Sequence, residues 1–144
     1  MSLTQFADTH RNVVATIHPS RLGIDQIGQT DRIRHALGAA RQIPKVTEET
    51  HARYYGYLLS HLRFPFAACY PRAKNADEEE KFRCNVLTLL DPVNDLGDGF
   101  HGIFAKTSQG EYEINLPLIE LDVPQDSPNF QLIEDYWYWF WNWR

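Results

Sequence analysis

From Tyr136 to Trp143 the chain reads YWYWFWNW, seven aromatic rings in eight positions. Each ring takes roughly 150–250 Å² out of water when it is buried. At about 25 cal/mol per Å², leaving the whole set exposed is expensive. On a helix the rings point in every direction, so one face of one neighbour cannot cover them. The run is either wedged between a sheet and other helices or presented to a partner. Ser127-Pro128 ahead of it reads as an N-cap with a first-turn proline, which opens a last helix. Glu134 and Asp135 lie past its first turn, where the helix dipole does little for them.

The chain has the material to bury such a run. A protein of 144 residues with 43% hydrophobic content sits in the ordinary globular range and can form a core without staples. No window holds the 18 or so apolar residues that a spanning helix needs. The first residues, MSLTQFADTHRN, lack the charged and then apolar segments of a secretory signal. A cytoplasmic protein is expected, with no membrane partner. In a reducing compartment Cys69 and Cys84 read as two buried thiols on neighbouring strands.

The N-terminal half reads as helical. Residues 3–17 are loosely helical, Pro19 and Gly23 mark a turn, and residues 24–28 fit one short turn. Thr30 suits an N-cap; Ile33, Leu37 and Ala40 then form one face, and Pro44 ends the helix. Arg32, Arg34, His35 and Arg41 lie on the other face, giving a basic helix over 30–42. Thr47 starts a second helix, with Glu48 and Glu49 in its first turn. Ala52, Tyr55, Leu59 and Leu62 give its expected core stripe, widened by Tyr54, Tyr57 and Leu58. Phe64-Pro65-Phe66 breaks it, and the chain leaves as a strand over 66–70.

The second half alternates as strands do. Residues 71–80 read as a polar loop with four solvated acids, Asp77 to Glu80. Residues 81–90 form the clearest strand, apolar at Phe82, Cys84 and Val86 and then on both faces at its end. That change suits a barrel or a sheet covered by helices. Strands over 100–107 and 111–116 follow, joined at Gln109-Gly110; Pro117 interrupts, and residues 118–123 resume as a short strand or turn.

Charge divides the chain at about residue 75. Residues 1–75 carry +5 and residues 76–144 carry −10. The two halves therefore attract different partners or each other. Phosphate would be repelled by the acidic half, which argues against nucleic acid and permits cations. No nucleophile elbow, zinc-protease, phosphate-loop or dinucleotide motif occurs, and the six histidines show no metal-ligand spacing. The acid-rich loop over 91–98 is the best candidate site. Asp91, Asn94, Asp95 and Asp98 offer three carboxylates and an amide oxygen, the hard donors that calcium takes. Gly97 and Gly99 let backbone carbonyls turn inward. Asp122 and Asp135 are possible contributors from elsewhere. The loop is not an EF-hand, since Val93 and Leu96 stand where a ligand and a glycine are needed, and from spacing alone a plain turn competes with it.

Three pieces stand in a telling order: YYGYLLSHLRFPF over 54–66, LPLIELD over 116–122 and EDYWYWFW over 134–141. In this the chain resembles the small bacterial calcium-binding proteins of the cyanobacterial CcbP type, over about residues 50–143. The resemblance implies an α+β fold. Its strongly bent, barrel-like antiparallel sheet would be packed by N-terminal helices and the aromatic C-terminal helix. It also implies calcium held by acidic side chains, without enzymatic activity. Residues 46–144 would form that domain and residues 1–45 a helical extension packed on it. The alternative is a protein-interaction module using the aromatic C-terminus or the basic helix 30–42, with calcium binding weak or lost.

Overall fold

The computed structural model describes residues 26–73, 75–93, 97–98 and 101–144. The expected helix over 3–17 and the turn at Pro19 and Gly23 lie outside them. The described residues form three helices and an antiparallel sheet: α1 (Gln26–Leu37), α2 (Glu48–His61), β1 (Phe66–Ala73), β2 (Glu79–Leu89), β3 (Gly97–Asp98), β4 (Gly102–Gln109), β5 (Tyr112–Pro117) and α3 (Phe130–Asn142). None of the described helices is long and apolar enough to cross a membrane.

Helix α1 begins four residues before Thr30, which therefore lies inside it. It ends at Gly38, well before Pro44. Gly38 adopts φ +65°, the left-handed conformation that closes helices. The amide of Gly38 donates to the His35 carbonyl and that of Ala39 to the Arg34 carbonyl, so Ala40 falls beyond the buried face. Helix α2 starts where the sequence predicts. Thr47 Oγ1 accepts from the Thr50 amide at 3.1 Å, and Thr50 Oγ1 accepts from the Thr47 amide at 2.8 Å. Its buried stripe is shifted from the predicted one: His51, Tyr54, Leu58 and Leu62 face the core, while Ala52 and Leu59 face solvent. Two phases compete in a stretch with apolar residues at 52, 54, 55, 57, 58 and 59. The winning one uses Tyr54 and admits a histidine that a hydropathy pattern does not score.

The sheet runs in the order β1-β2-β4, with β5 on the free side of β4 and the two-residue β3 against its start. Strand β1 extends to Ala73 and β2 begins at Glu79, so part of the expected polar loop is ladder, although its acids are exposed as expected. A bulge between Val86 and Thr88 shifts the register of β2 against β4. It moves burial from Cys84 and Val86 to Leu89, which explains why β2 turns apolar on its second face. The sheet is open, and the expectation of a barrel fails. Strands β1 and β5 do not pair. Only an isolated bridge, Cys69 to Asp122, ties the segment after β5 back to β1. Instead of curling over a core, β5 leaves residues 112–115 exposed.

The aromatic run is core. Tyr136, Trp137, Tyr138, Trp139 and Phe140 are buried, and Trp141 and Trp143 are partly buried against them. Helix α3 opens later than Ser127-Pro128 suggests, because the cap residue is Asn129. Its amide binds Ser127 Oγ at 3.1 Å. Its side chain instead clamps Arg63, accepting from the amide at 2.8 Å and donating to the carbonyl at 3.0 Å. The end of α2 is thereby fixed to the start of α3.

Helix α1 is held by charge as well as packing. Asp135 on α3 takes a two-pronged bond from Arg32, at 2.7 Å from Nε and 3.1 Å from Nη2, and a third at 3.0 Å from the Gln29 amide. Two of the three side chains are fully desolvated: Asp135 is 5% exposed as a side chain and Gln29 is buried. Removing one member of such a set strands the others. Asp135→Ala is expected to destabilise the fold by about 2–4 kcal/mol. Urea denaturation with an unchanged m-value would show it as a shift in midpoint alone.

Candidate functional site

The acidic loop lies at one end of the sheet. The Leu90 amide donates to the Phe104 carbonyl at 2.8 Å, which carries the β2–β4 ladder one residue past Leu89. Asp91 then turns the chain, with Oδ1 accepting from the Val93 amide at 2.8 Å, a side chain imitating a backbone turn. At the far side of the loop Gly97 pairs with Ile103 and Asp98 with Gly102. Both ends of 91–98 are thus tied to the first residues of β4. Asn94 and Asp95 lie outside the described residues, as does Gly99; Asp98 is placed by its backbone.

A second segment reaches the same end. Pro117 pairs with Phe104, and a single 3-10 turn, Leu118–Glu120, follows it. Burial raises the pKa of the Glu120 carboxyl, and the charge of His101 pulls it back. His101 in turn lies edge-on to Phe104 at 5.9 Å. Sequence reading selected neither residue. Glu120 is one acid in the apolar segment LPLIE, and His101 carries no spacing signal; only the return of the chain past Pro117 puts them together.

The other candidate acids are elsewhere. Asp122 sits against β1, exchanging backbone bonds with Cys69 at 2.9 and 2.7 Å, and its carboxylate is 3.5 Å from the Lys81 ammonium. Asp135 belongs to the α1–α3 ion pair. Among the described residues, no three His, Cys, Asp or Glu side chains converge closely enough to hold a metal ion. The shallow pocket lined by Gln125, Ser127, Phe130 and Gln131 contains no carboxylate. At the loop end the donors from Asp91 to Asp98 are all oxygens, a set that fits a hard cation.

The floor beneath this end is closely packed and hydrogen-bonded. The Tyr136 hydroxyl accepts from the Ile103 amide at 2.9 Å and lies 2.6 Å from His51 Nε2. The amide can only donate, so the hydroxyl accepts there and makes its second hydrogen bond with the His51 imidazole. Gly102 has φ +76°, and a Cβ there would collide with the Tyr136 hydroxyl and the Phe140 ring. Glycine is therefore required where β3 and β4 meet.

The family model for CcbP, described as calcium binding, matches residues 45–140. Those limits run from the residues just before the α2 cap almost to the end of α3. Among solved structures, the crystal structure of CcbP from Anabaena is similar, at 18% identity and a TM-score of 0.59, over 84% of this chain and 94% of that one. A calcium-binding protein solved in its calcium-binding form is equally similar, at 19% identity and a TM-score of 0.59, over the same shares. No curated protein matches the chain.

The floor carries its own pH dependence. Burial, and then the charge of Arg144, lower the pKa of His51 from 6.5 to about 4. The unfolded chain therefore binds a proton that the folded chain refuses between those values. Stability is full above about pH 6.5 and falls as the pH drops toward 4. The loss over that window is about 3 kcal/mol. Denaturant midpoints measured from pH 7 to pH 4 should show it, and His51→Gln, which keeps an acceptor for Tyr136, should flatten it.

Proposed function

The chain belongs to the CcbP calcium-binding family, and on that premise we propose that it is a non-enzymatic, cytoplasmic calcium-binding protein, a buffer or a sensor. The ion sits at the loop end of the sheet, held by Asp91, Asn94, Asp95 and Asp98. One observation carries this reading: the register ties Leu90 and Asp98 to the same few residues of β4. A loop closed at both ends holds its oxygens near one another and loses less entropy on binding than an open one. Asp122 and Asp135 keep their partners Lys81 and Arg32 and stand outside the ligand set. The aromatic run is buried, which leaves an interaction module little apolar surface at the C-terminus.

Calcium added to the metal-free protein should release or absorb heat in a calorimetric titration. At one hundred times Kd it should add about 2.7 kcal/mol to the unfolding free energy. Asp95→Ala and Asp98→Ala should each weaken binding severalfold or more, and Asp126→Ala should leave it unchanged. Magnesium, which demands a tighter octahedral site, should bind less well. Absence of heat and of any thermal shift at millimolar calcium would sink the proposal.

A further inference from the structure

Strand β5 is an edge that the described residues leave open. It pairs with β4 on one side only; Tyr112 and Ile114 are exposed on one face, to 79% and 42%, and Glu113 and Asn115 are exposed on the other. Sheet edges of this kind are templates for further strands unless something blocks them.

The hairpin fixes which groups that edge offers. Gln109 pairs with Tyr112 across a two-residue turn, Gly110-Glu111, in which Gly110 has φ +61°. In such a turn the closing pair is hydrogen-bonded, and bonded pairs then alternate. Tyr112, Ile114 and Leu116 therefore direct their backbone groups at β4. The Ile114 carbonyl agrees, since it also accepts from Thr107 Oγ1 at 2.7 Å. The amides and carbonyls of Glu113 and Asn115 point the other way, to the free edge.

We propose that this edge pairs with the β5 of a second copy of the chain, antiparallel across a two-fold axis at Ile114. The sequence selects that register. An axis at Glu113 would set two like charges directly opposite each other, which is unfavourable. An axis at Asn115 would pair Glu113 with Pro117, which has no amide to donate. An axis between two residues would match bonding with non-bonding groups. The axis at Ile114 sets Glu113 opposite Asn115 twice, with four backbone hydrogen bonds. It also sets Ile114 opposite Ile114 and Tyr112 opposite Leu116, covering the exposed apolar side chains. This is an isologous contact, closed after two copies. Glu113 and Pro117 thus leave two copies one antiparallel two-fold register.

One strand edge buries well under the roughly 800 Å² per partner of a standard interface, so the dimer is weak. Sedimentation equilibrium from about 10 μM to 1 mM reads weak association of that kind. The full-length chain should pass from monomer to dimer. Asn115→Pro removes an edge amide that β4 does not use, and should raise Kd at least tenfold without changing the melting temperature. Asn115→Glu, which places carboxylates opposite each other, should do the same, and adding Glu113→Lys should restore the dimer. Under mild oxidation Ile114→Cys should cross-link to a covalent dimer and Tyr112→Cys should not. A chain that stays monomeric at about 1 mM overturns the proposal. So does a dimer that both Asn115 substitutions leave intact, since it would use another surface. Should Asn115→Pro unfold the chain, Asn115→Glu and its rescue decide the matter.

Discussion

The hydroxyl of Tyr136 is the point on which the parts of this fold meet. It belongs to α3, shares a hydrogen bond with His51 of α2 and accepts one from the amide of Ile103 in β4. A single oxygen so joins both central helices to the strand that begins the loop end of the sheet. The Tyr136 ring that carries it is surrounded by aromatics: Tyr54, Trp139 and Phe140 lie about 6 Å away or less, ring centre to ring centre. In that apolar setting an unpaired hydroxyl or imidazole would be costly, and each of the three groups supplies what the others lack. The packing also leaves no room for a side chain at residue 102. The backbone geometry beside Asp98 is thereby set from within the core.

That arrangement separates stability from chemistry. The aromatic run, which dominates the sequence, is spent on the core, along with one bond from Trp139 Nε1 to the Pro44 carbonyl at 2.9 Å and one from the Val46 amide to the Trp143 carbonyl at 2.7 Å. The described acids of the second half, Asp135 and Glu134 apart, lie outside that buried core.

Much of the fold was legible in the sequence. Thr47 capped its helix, the β2 alternation was read correctly to Val86, and the aromatic density demanded burial. The failures have identifiable physical causes. Helix α1 was ended at Pro44 because proline is a loud signal, whereas the glycine at 38 closes the helix six residues earlier. The stripe of α2 was set one residue out of phase because hydropathy cannot score a histidine that is buried neutral against a tyrosine. The barrel was inferred from a strand apolar on both faces, and a bulge accounts for that pattern without closure. For the candidate site, residues 91–98 were visible as oxygen donors in one segment. The approach of Glu120 and His101 was not, since it depends on the pairing of Pro117 with Phe104 across the sheet.

The uneven charge along the chain has a partly internal explanation. The basic face of α1 was open to a reading as a partner surface. Arg32, its most inward member, is committed to Asp135 of the acidic half, with Gln29 beside it. Arg34 pairs with Asp31 on the same helix, and His35 rests edge-on against Tyr57. The basic and acidic halves therefore meet where α1 docks on α3, and some of the excess on each side is neutralised there. The neutralisation is local. Asp77 to Glu80 stay exposed where β1 turns into β2, away from that contact, so part of the acidic half's excess is not offset by the folding of the chain on itself.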